Sequence, residues 1–365
     1  MKKVLEAIIR ILFNFLDFFF QKKTYIVFST RSAKDYADNS KVLFEEFLSN
    51  HVTNVFFYTK KKSVLLKIPE NGLYAYSFKA IYILLKSKVL IFTHGSKDFF
   101  PYTPKKHPKR TFINLFHAIA VKKIGDVNFS NQKKEVDLWD YFLVSSHFEA
   151  NFIKKQFGLT DQNMLVFGQP RNDILVINSQ SSEKRSKMLI LYAPTFRDFS
   201  DTKLFPFEDK DLDLLDSFLS ENNMEIVIRL HINDENRYKK SVLYSNLKNI
   251  HFSGSKETPS VNDILHTFDL LISDYSSIVL DYLLLNKPVI YLPYDYDEYK
   301  QVRGFSFDFH KHRAGPIANT QKELILFLSK NEDKYRKKRL ELTHLFHKYQ
   351  DGKSSKRLYN FINKL

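Results

Sequence analysis

Five groups of polar residues follow apolar, β-rich runs in this 365-residue chain, and their side chains suit phosphate chemistry. The most informative is Leu270–Asp281, LLISDYSSIVLD, where a strand ends in Asp274 and a helix is expected to begin at Ser276 and Ser277. Amides and hydroxyls at a helix start bind phosphate, although a serine there often serves only as an N-cap. In Leu191–Asp198, LYAPTFRD, Pro194 ends the strand, Thr195 offers a hydroxyl and Arg197 offers a guanidinium suited to phosphate. Ile228–Asn233, IRLHIN, sets Arg229 and His231 two residues apart, on one face of an extended chain. Phe112–Gly125, FINLFHAIAVKKIG, places His117 directly after a strand, with Lys122 and Lys123 close by. An imidazole titrates near neutrality and can accept a proton from an attacking hydroxyl, but a lone histidine is more often structural. The fifth group, Phe167–Asp173, FGQPRND, is a turn carrying Arg171 and Asp173; its plainer reading is a tight loop holding an interdomain segment.

Neither GxGxxG nor GxxxxGK[ST] occurs, so a dinucleotide site or a P-loop would need another form. The chain has no cysteine, which removes disulfides, thiolate nucleophiles and Cys-ligated metals. No HExxH-type spacing is present, and His94, His107, His310 and His312 are scattered and read as surface residues. No metal site is expected and no obligatory cofactor is visible.

These groups must be held by alternating strands and helices. Tyr25–Ser29, Asn54–Tyr58, Val89–Phe92, Phe112–Leu115 and Tyr141–Val144 read as strands, with helical patterns at Asp38–Leu48, Phe78–Leu85 and Phe148–Phe157. The second half repeats the alternation: Leu189–Tyr192, Glu225–Arg229, Leu270–Ser273 and Val289–Leu292 as strands, Asp211–Leu219 and Ser276–Leu285 as helices. Such alternation implies parallel sheets with crossover helices, and ligands at the carboxyl ends of their strands. The polar stretch Ile177–Lys187 reads as a linker. The expected organisation is an N-terminal helix over 1–22, α/β domains over 23–178 and 179–340, and a basic C-terminal helix over 341–365.

Charge is uneven. Residues 1–178 hold 27 Lys/Arg against 15 Asp/Glu, and residues 179–365 hold 29 against 26. A basic first half implies an anionic partner, nucleic acid or membrane; the bland reading is a set of solvated lysines. Residues 4–20, VLEAIIRILFNFLDFFF, are too short and too charged for a spanning helix, and no small-residue cleavage site follows, so a signal peptide is not expected. Glu6, Arg10, Asn14 and Asp17 fall on one narrow helical stripe, opposite a broad apolar face, with Lys2, Lys3, Lys22 and Lys23 at the ends. A helix of this kind can lie in a bilayer interface, or pack on its own domain or a partner subunit.

Taken together, YAPTFRD (Tyr192–Asp198), RLH (Arg229–His231), SDYSS (Ser273–Ser277), LLNKPVIY (Leu284–Tyr291), DYDEYKQVRGFSFDF (Asp295–Phe309) with GPI (Gly315–Ile317), and GQPRND (Gly168–Asp173) resemble the CDP-glycerol:poly(glycerophosphate) glycerophosphotransferases of teichoic acid and capsule assembly. The resemblance runs from about Tyr25 to Leu326. It implies a GT-B fold, two Rossmann-like domains facing across a cleft, and peripheral attachment to the cytoplasmic face of the cell membrane. It implies a CDP-glycerol or CDP-ribitol donor and a lipid-linked saccharide or polyol-phosphate acceptor, with no nucleic acid involved. By resemblance His117 and His231 are catalytic, acting from opposite walls of the cleft. Arg171, Thr195, Arg197, Arg229, Asp274, Ser276, Ser277 and Arg303 are substrate-binding, with the diphosphate held by Arg197, Arg229 and the Ser276–Ser277 helix start. One departure stands out: HAIAVKKIG (His117–Gly125) replaces the family's usual HGTPLKKIG, so Ala118, Ile119 and Ala120 stand for Gly, Thr and Pro. A nucleotide-sugar glycosyltransferase of the same fold is the alternative reading, and a non-catalytic basic protein binding membrane or nucleic acid is a remote one.

Overall fold

The computed structural model describes residues 2–124, 130–178, 186–231, 234–235, 238, 244, 246–254, 260–330 and 332–365. The chain divides into two units, Met1–Ala118 with Gly125–Asp173 and Asp351–Leu365, and Ile119–Ile124 with Ile174–Gln350. Each unit is built on a wholly parallel sheet of short apolar strands.

In the first unit the strands are β1 (Lys23–Phe28), β2 (Val55–Thr59), β3 (Gly72–Tyr74), β4 (Ser87–Phe92), β5 (Thr111–Asn114), β6 (Tyr141–Val144) and β7 (Met164–Val166). Their order is β3-β2-β1-β4-β5-β6-β7. The second unit holds β8 (Met188–Ala193), β9 (Met224–Ile228), β10 (Ile250–Phe252), β11 (Leu270–Ser273) and β12 (Val289–Tyr291), ordered β10-β9-β8-β11-β12. Both orders reverse beside the first strand, as in a doubly wound Rossmann-like sheet, and the loops after the strands flanking that reversal are where ligands sit. The expected parallel α/β class is what the chain adopts. The strands absent from the sequence reading are β3 and β10, and β7 enters it only as the unbounded run before FGQPRND. Each has three residues and lies on or beside an edge, too short for a hydrophobic pattern to register.

The unit boundaries differ from the expected ones at the C-terminus. The basic segment forms two helices, Arg336–Phe346 and Ser354–Ile362, and the second returns to the first unit. There Leu358 and Ile362 join the core of Phe44, Phe47 and Val55. Asp173 fixes that return, its carboxylate accepting from the backbone amides of Ser354 and Ser355 at 2.9 and 2.8 Å and from the Ser355 hydroxyl at 2.7 Å. This satisfies amides at the helix start that have no partner within the helix. Gly168 has φ +88°, and a Cβ there would come within 2.5 Å of Ser354 Oγ. The GQPRND turn therefore anchors the chain end. Of the expected linker Ile177–Lys187, residues 179–185 lie outside the described ones.

Helix α1 (Lys2–Phe19) presents its faces in an informative way. Asp17 is buried and paired bidentately with the fully buried Arg110, at 2.6 and 2.8 Å, and with Lys22 at 2.9 Å. Asn14 accepts from the Lys105 amide at 2.9 Å, and Phe13 packs on Tyr102 with ring centroids 5.0 Å apart. The Asn14–Asp17 end of the polar stripe thus faces the protein, whereas Arg10 is exposed. Val4, Leu5, Ile8, Ile11, Leu12, Phe15, Leu16, Phe18 and Phe19 are exposed, Phe18 by 73%. Among the described residues no helix is long and apolar enough to cross a membrane.

Gly315 of the GPI motif tests this packing. A Cβ there would lie 1.7 Å from the Val289 carbonyl oxygen, a backbone atom of β12. Gly315→Ala is expected to destabilise the protein by about 1–3 kcal/mol or more, the cost of overpacking. An unchanged midpoint in thermal unfolding would show that the loop relaxes freely.

Candidate active site

The polar groups of the second unit gather where β8, β9, β11 and β12 end. These strands are neighbours in the sheet, so residues far apart in sequence meet at one edge. Asp274, directly after β11, is buried. Its Oδ1 accepts from the Thr195 amide at 2.9 Å, the Thr195 hydroxyl at 2.5 Å and the Tyr275 amide at 2.7 Å. Its Oδ2 accepts from Arg197 Nη1 at 2.5 Å. Arg197 also grips Asp295, with Nε to Oδ2 at 2.9 Å and Nη2 to Oδ1 at 2.8 Å. Its guanidinium carbon lies 4.9 to 5.5 Å from the ring centroids of Tyr275, Tyr294 and Tyr299. Burial would lower the guanidinium's pKa, but Asp274 and Asp295 outweigh it and raise it above its ordinary value. Its side chain has 0% exposure. Three expected ligand-binding residues, Thr195, Arg197 and Asp274, are therefore brought together, but with their polar atoms turned on one another. Asp295 and the tyrosines completing the cage were missed, although Asp295 opens the quoted DYDEY segment and follows β12.

The other expected residues of this unit surround that cage. The described helix begins at Ile278, not at Ser276; Ser277 occupies the cap position without a side-chain cap bond, and both serines are half-buried. Strand β9 stops at Ile228, so the two-residue spacing does not place Arg229 and His231 alike. Arg229 is buried, whereas His231 is exposed and stacks on Phe196 with centroids 5.0 Å apart. Arg303 pairs with Asp198, its Nε 3.0 Å from Oδ1. The Lys122–Gly304 region is stitched by backbone: Ser306 donates to the Val121 carbonyl at 2.8 Å and Lys123 to that of Gly304 at 3.3 Å. Ile119, Ala120 and Val121 are buried, which accounts for the apolar residues in this stretch of HAIAV.

In the first unit the polar edge forms after β1, β4 and β5. His117 leaves β5 through Phe116, which has φ +50°. Its Nδ1 lies 3.4 Å from the Thr93 carbonyl. Its own carbonyl accepts from Arg171, which also donates to Asp38 Oδ1 at 3.3 Å. Asp38 and Asn39 open helix α2 (Asp38–Ser49), the first after β1. Asn39 Nδ2 donates to the carbonyls of Leu115 and Phe116 at 3.2 and 3.0 Å, and Asn39 Oδ1 accepts from the Arg171 amide at 3.1 Å. Burial would raise the Asp38 pKa, but Arg171, Arg31 and the two nearby imidazoles outweigh it, so the carboxyl sits below its ordinary range. Burial, reinforced by His94, pushes the His117 pKa down to about 3.

One expectation is corrected in part. His94 is exposed, as a surface residue would be, but it is not isolated: its ring stacks on His117, centroids 4.2 Å apart and planes 8° from parallel. The two follow β4 and β5, which are neighbours in the sheet, but a separation of 23 positions hides the pairing in the sequence. Among the described residues no group of three or more His, Asp or Glu could hold a metal ion.

Comparison with known proteins bears on this arrangement. The chain is 29% identical over 356 residues to the teichoic acid ribitol-phosphate polymerase TarK of Staphylococcus aureus, covering 91% of this chain and 67% of that one. It is 25% identical over 401 residues to the teichoic acid glycerol-phosphate transferase of the same species, 100% and 98% covered. To the teichoic acid glycerol-phosphate primase of Bacillus subtilis it is 26% identical over 359 residues, 90% and 89% covered. The chain thus spans about two-thirds of the length of the ribitol-phosphate polymerase and nearly all of the glycerol-phosphate transferase. In fold it matches the wall teichoic acid polymerase TagF, with TM-score 0.82 at 22% identity over 98% of this chain and 93% of that one. It also matches S. aureus MnaA with UDP, with TM-score 0.57 at 15% identity over 94% and 96%. The family model described as CDP-glycerol:poly(glycerophosphate) glycerophosphotransferase matches residues 11–364, and this chain, a transferase of phosphorus-containing groups, belongs to that family.

Proposed function

We propose that this chain moves glycerol phosphate from CDP-glycerol, or ribitol phosphate from CDP-ribitol, to a hydroxyl of a lipid-linked saccharide or polyol-phosphate chain in teichoic acid assembly. The observation that carries this reading is the polar edge of the second sheet in a member of this family. There a buried Asp274–Arg197–Asp295 cage sets the loops after β8, β11 and β12. The cage leaves Ser276, Ser277 and His231 at its margin as groups for a diphosphate, with Arg229 supplying charge behind them. Arg197 and Asp274 then act by positioning those loops, not by touching the donor.

The transfer needs a base and a charged leaving group. The Nδ1–H tautomer of His117, donating to the Thr93 carbonyl, leaves Nε2 to accept the acceptor's hydroxyl proton. The hydroxyl oxygen forms a bond to the donor's β-phosphorus as the bond to the CMP oxygen breaks, and CMP leaves with that electron pair. A low imidazole pKa keeps His117 unprotonated in the free protein; the negative charge of a bound donor would raise it toward the working range. The remaining catalysis is orientation and charge stabilisation, which suits a site built from fixed loops.

The exposed face of α1 supports a location at an anionic membrane surface. Helix Phe78–Lys86 packs against α1 and adds exposed Phe78 and Tyr82, with Tyr76 just before it. Lys60, Lys62 and Lys86 lie over the rings of Phe100, Tyr74 and Tyr82 at 4.7, 5.6 and 4.6 Å. Apolar side chains would enter the acyl boundary while lysines meet the headgroups, each contributing about 1 kcal/mol.

Three outcomes follow. His117→Ala should lower turnover of CDP-glycerol with a lipid-linked acceptor by at least about 100-fold while thermal unfolding stays unchanged; near-normal turnover removes the base. Arg197→Ala should destabilise the fold by about 3–5 kcal/mol, the cost of leaving buried carboxylates unpaired. A wild-type unfolding midpoint with weakened donor binding alone would instead restore Arg197 to direct phosphate contact. The double change Phe15→Glu and Phe19→Glu alters only exposed positions, so it should abolish cosedimentation with phosphatidylglycerol vesicles at unchanged stability; undiminished binding would mean another surface meets the membrane.

A further inference from the structure

We propose that His94 is a positioning residue for the transfer: its imidazole, stacked on His117, fixes the plane of that ring and holds it in the uncharged form that takes a proton. The inference rests on the reading of His117 as the base, and deepens it.

One peptide unit serves both rings. The Thr93 carbonyl faces His117 Nδ1 at 3.4 Å, and the next residue supplies the stacked ring. That unit is itself pinned on several sides. The amides of Thr93 and His94 both donate to Asp98 Oδ2 at 3.0 Å, and the Ser32 amide donates to Asp98 Oδ1 at 2.5 Å. The Thr93 hydroxyl bonds His94 Nδ1 at 2.7 Å and the buried Thr30 hydroxyl at 2.6 Å. The chain leaves through Gly95 at φ +111°, and Glu135 accepts from the Ser96 hydroxyl at 2.7 Å. With its backbone and Nδ1 fixed, the His94 ring has one orientation, and a face-to-face neighbour at 4.2 Å inherits it.

The charge argument agrees with the packing. Two imidazolium rings this close repel strongly in a partly buried site, so the pair carries at most one proton. The groups facing it are Asp38 and Arg31 from the β1 side, Asp98 from the turn after β4, and Arg171 from the GQPRND turn. For His94 the carboxylates of Asp98 and Asp38 oppose Arg31, and for His117 Asp38 opposes Arg171, but on each ring burial is the largest effect. Burial lowers the pKa of both rings, and His94 adds to the effect on His117.

The experiment compares His94→Ala, His94→Phe and His117→Ala in the full chain. It reads kcat and KM for CDP-glycerol with a lipid-linked acceptor, the pH profile of kcat/KM, and the imidazole NMR titration of His117. Loss of the stack in His94→Ala should lower kcat on the order of 10-fold to 100-fold, a misplacement effect, with the donor KM little changed. His94→Phe keeps a flat ring that cannot be charged. It should recover most of that kcat, while the protonation of His117 moves to higher pH in both the profile and the NMR titration. Wild-type kcat and an unmoved titration in His94→Ala overturn the proposal, and so do equal losses in His94→Ala and His94→Phe with the titration unmoved. If His117→Ala itself keeps near-normal turnover, it is the base assignment that falls, and the NMR titration still reports whether His94 sets the protonation of His117.

Discussion

A carboxylate buried at the end of a parallel strand has to be met by cations and N–H groups, and both units of this protein are organised around that requirement. In the second unit Asp274 draws in Thr195, Tyr275 and Arg197, and Arg197 draws in Asp295. In the first, Asp38 draws in Arg171, which then reaches the carbonyl of His117. Each pairing joins loops that leave different strands, so the loops cannot move independently. Ion pairs of this kind add little net stability, because desolvation offsets their attraction, but removing one partner strands the other. They fix the loops in one arrangement, which orientation-based catalysis needs.

The same logic explains the inverted N-terminal helix. Its apolar face would be the expected one to bury, yet it is Asp17, Asn14 and Phe13 that meet the protein. Arg110 is fully buried and also donates to the carbonyls of Ser87 and Leu84, at 3.1 and 2.8 Å. Without Asp17 it would be an uncompensated charge between the helix and the sheet. That pairing orients the helix so that its greasy side is offered outward, where water alone makes a poor partner for so large an apolar strip.

The polar edges of the two units differ in kind. The first unit holds the His117 imidazole, its pKa lowered by burial, in a frame of paired side chains. The second frames half-buried serines and an exposed histidine with a buried guanidinium. The replacement of HGTPL by HAIAV falls where the chain passes from one unit to the other, and Ile119, Ala120 and Val121 are buried in the second. Ile119 and Ala120 serve packing there, and His117, Lys122 and Lys123 remain.

Much of this was legible in the sequence because it is local. Short β-branched runs bounded by polar residues gave the longer strands within a residue or two. Their alternation with helical patterns required parallel sheets, and the order of the YAPTFRD, RLH, SDYSS and GQPRND motifs pointed to the family. The sequence also located His117, Arg197 and Asp274 at strand ends. It could not say what they touch. Arg197 and Asp274 are 77 residues apart and Arg171 and Asp38 are 133 apart, and they meet only because strand order brings β8 beside β11 and the GQPRND turn onto the start of α2. Residue type suggested phosphate ligands; burial and strand order turn the polar atoms of Arg197 and Asp274 on one another. The direction of α1's apolar face and the stacking of His94 on His117 have the same origin. A helical stripe shows that two faces differ, and neighbouring strands decide which side chains share an edge, but only the packed structure sets which face or ring meets which partner.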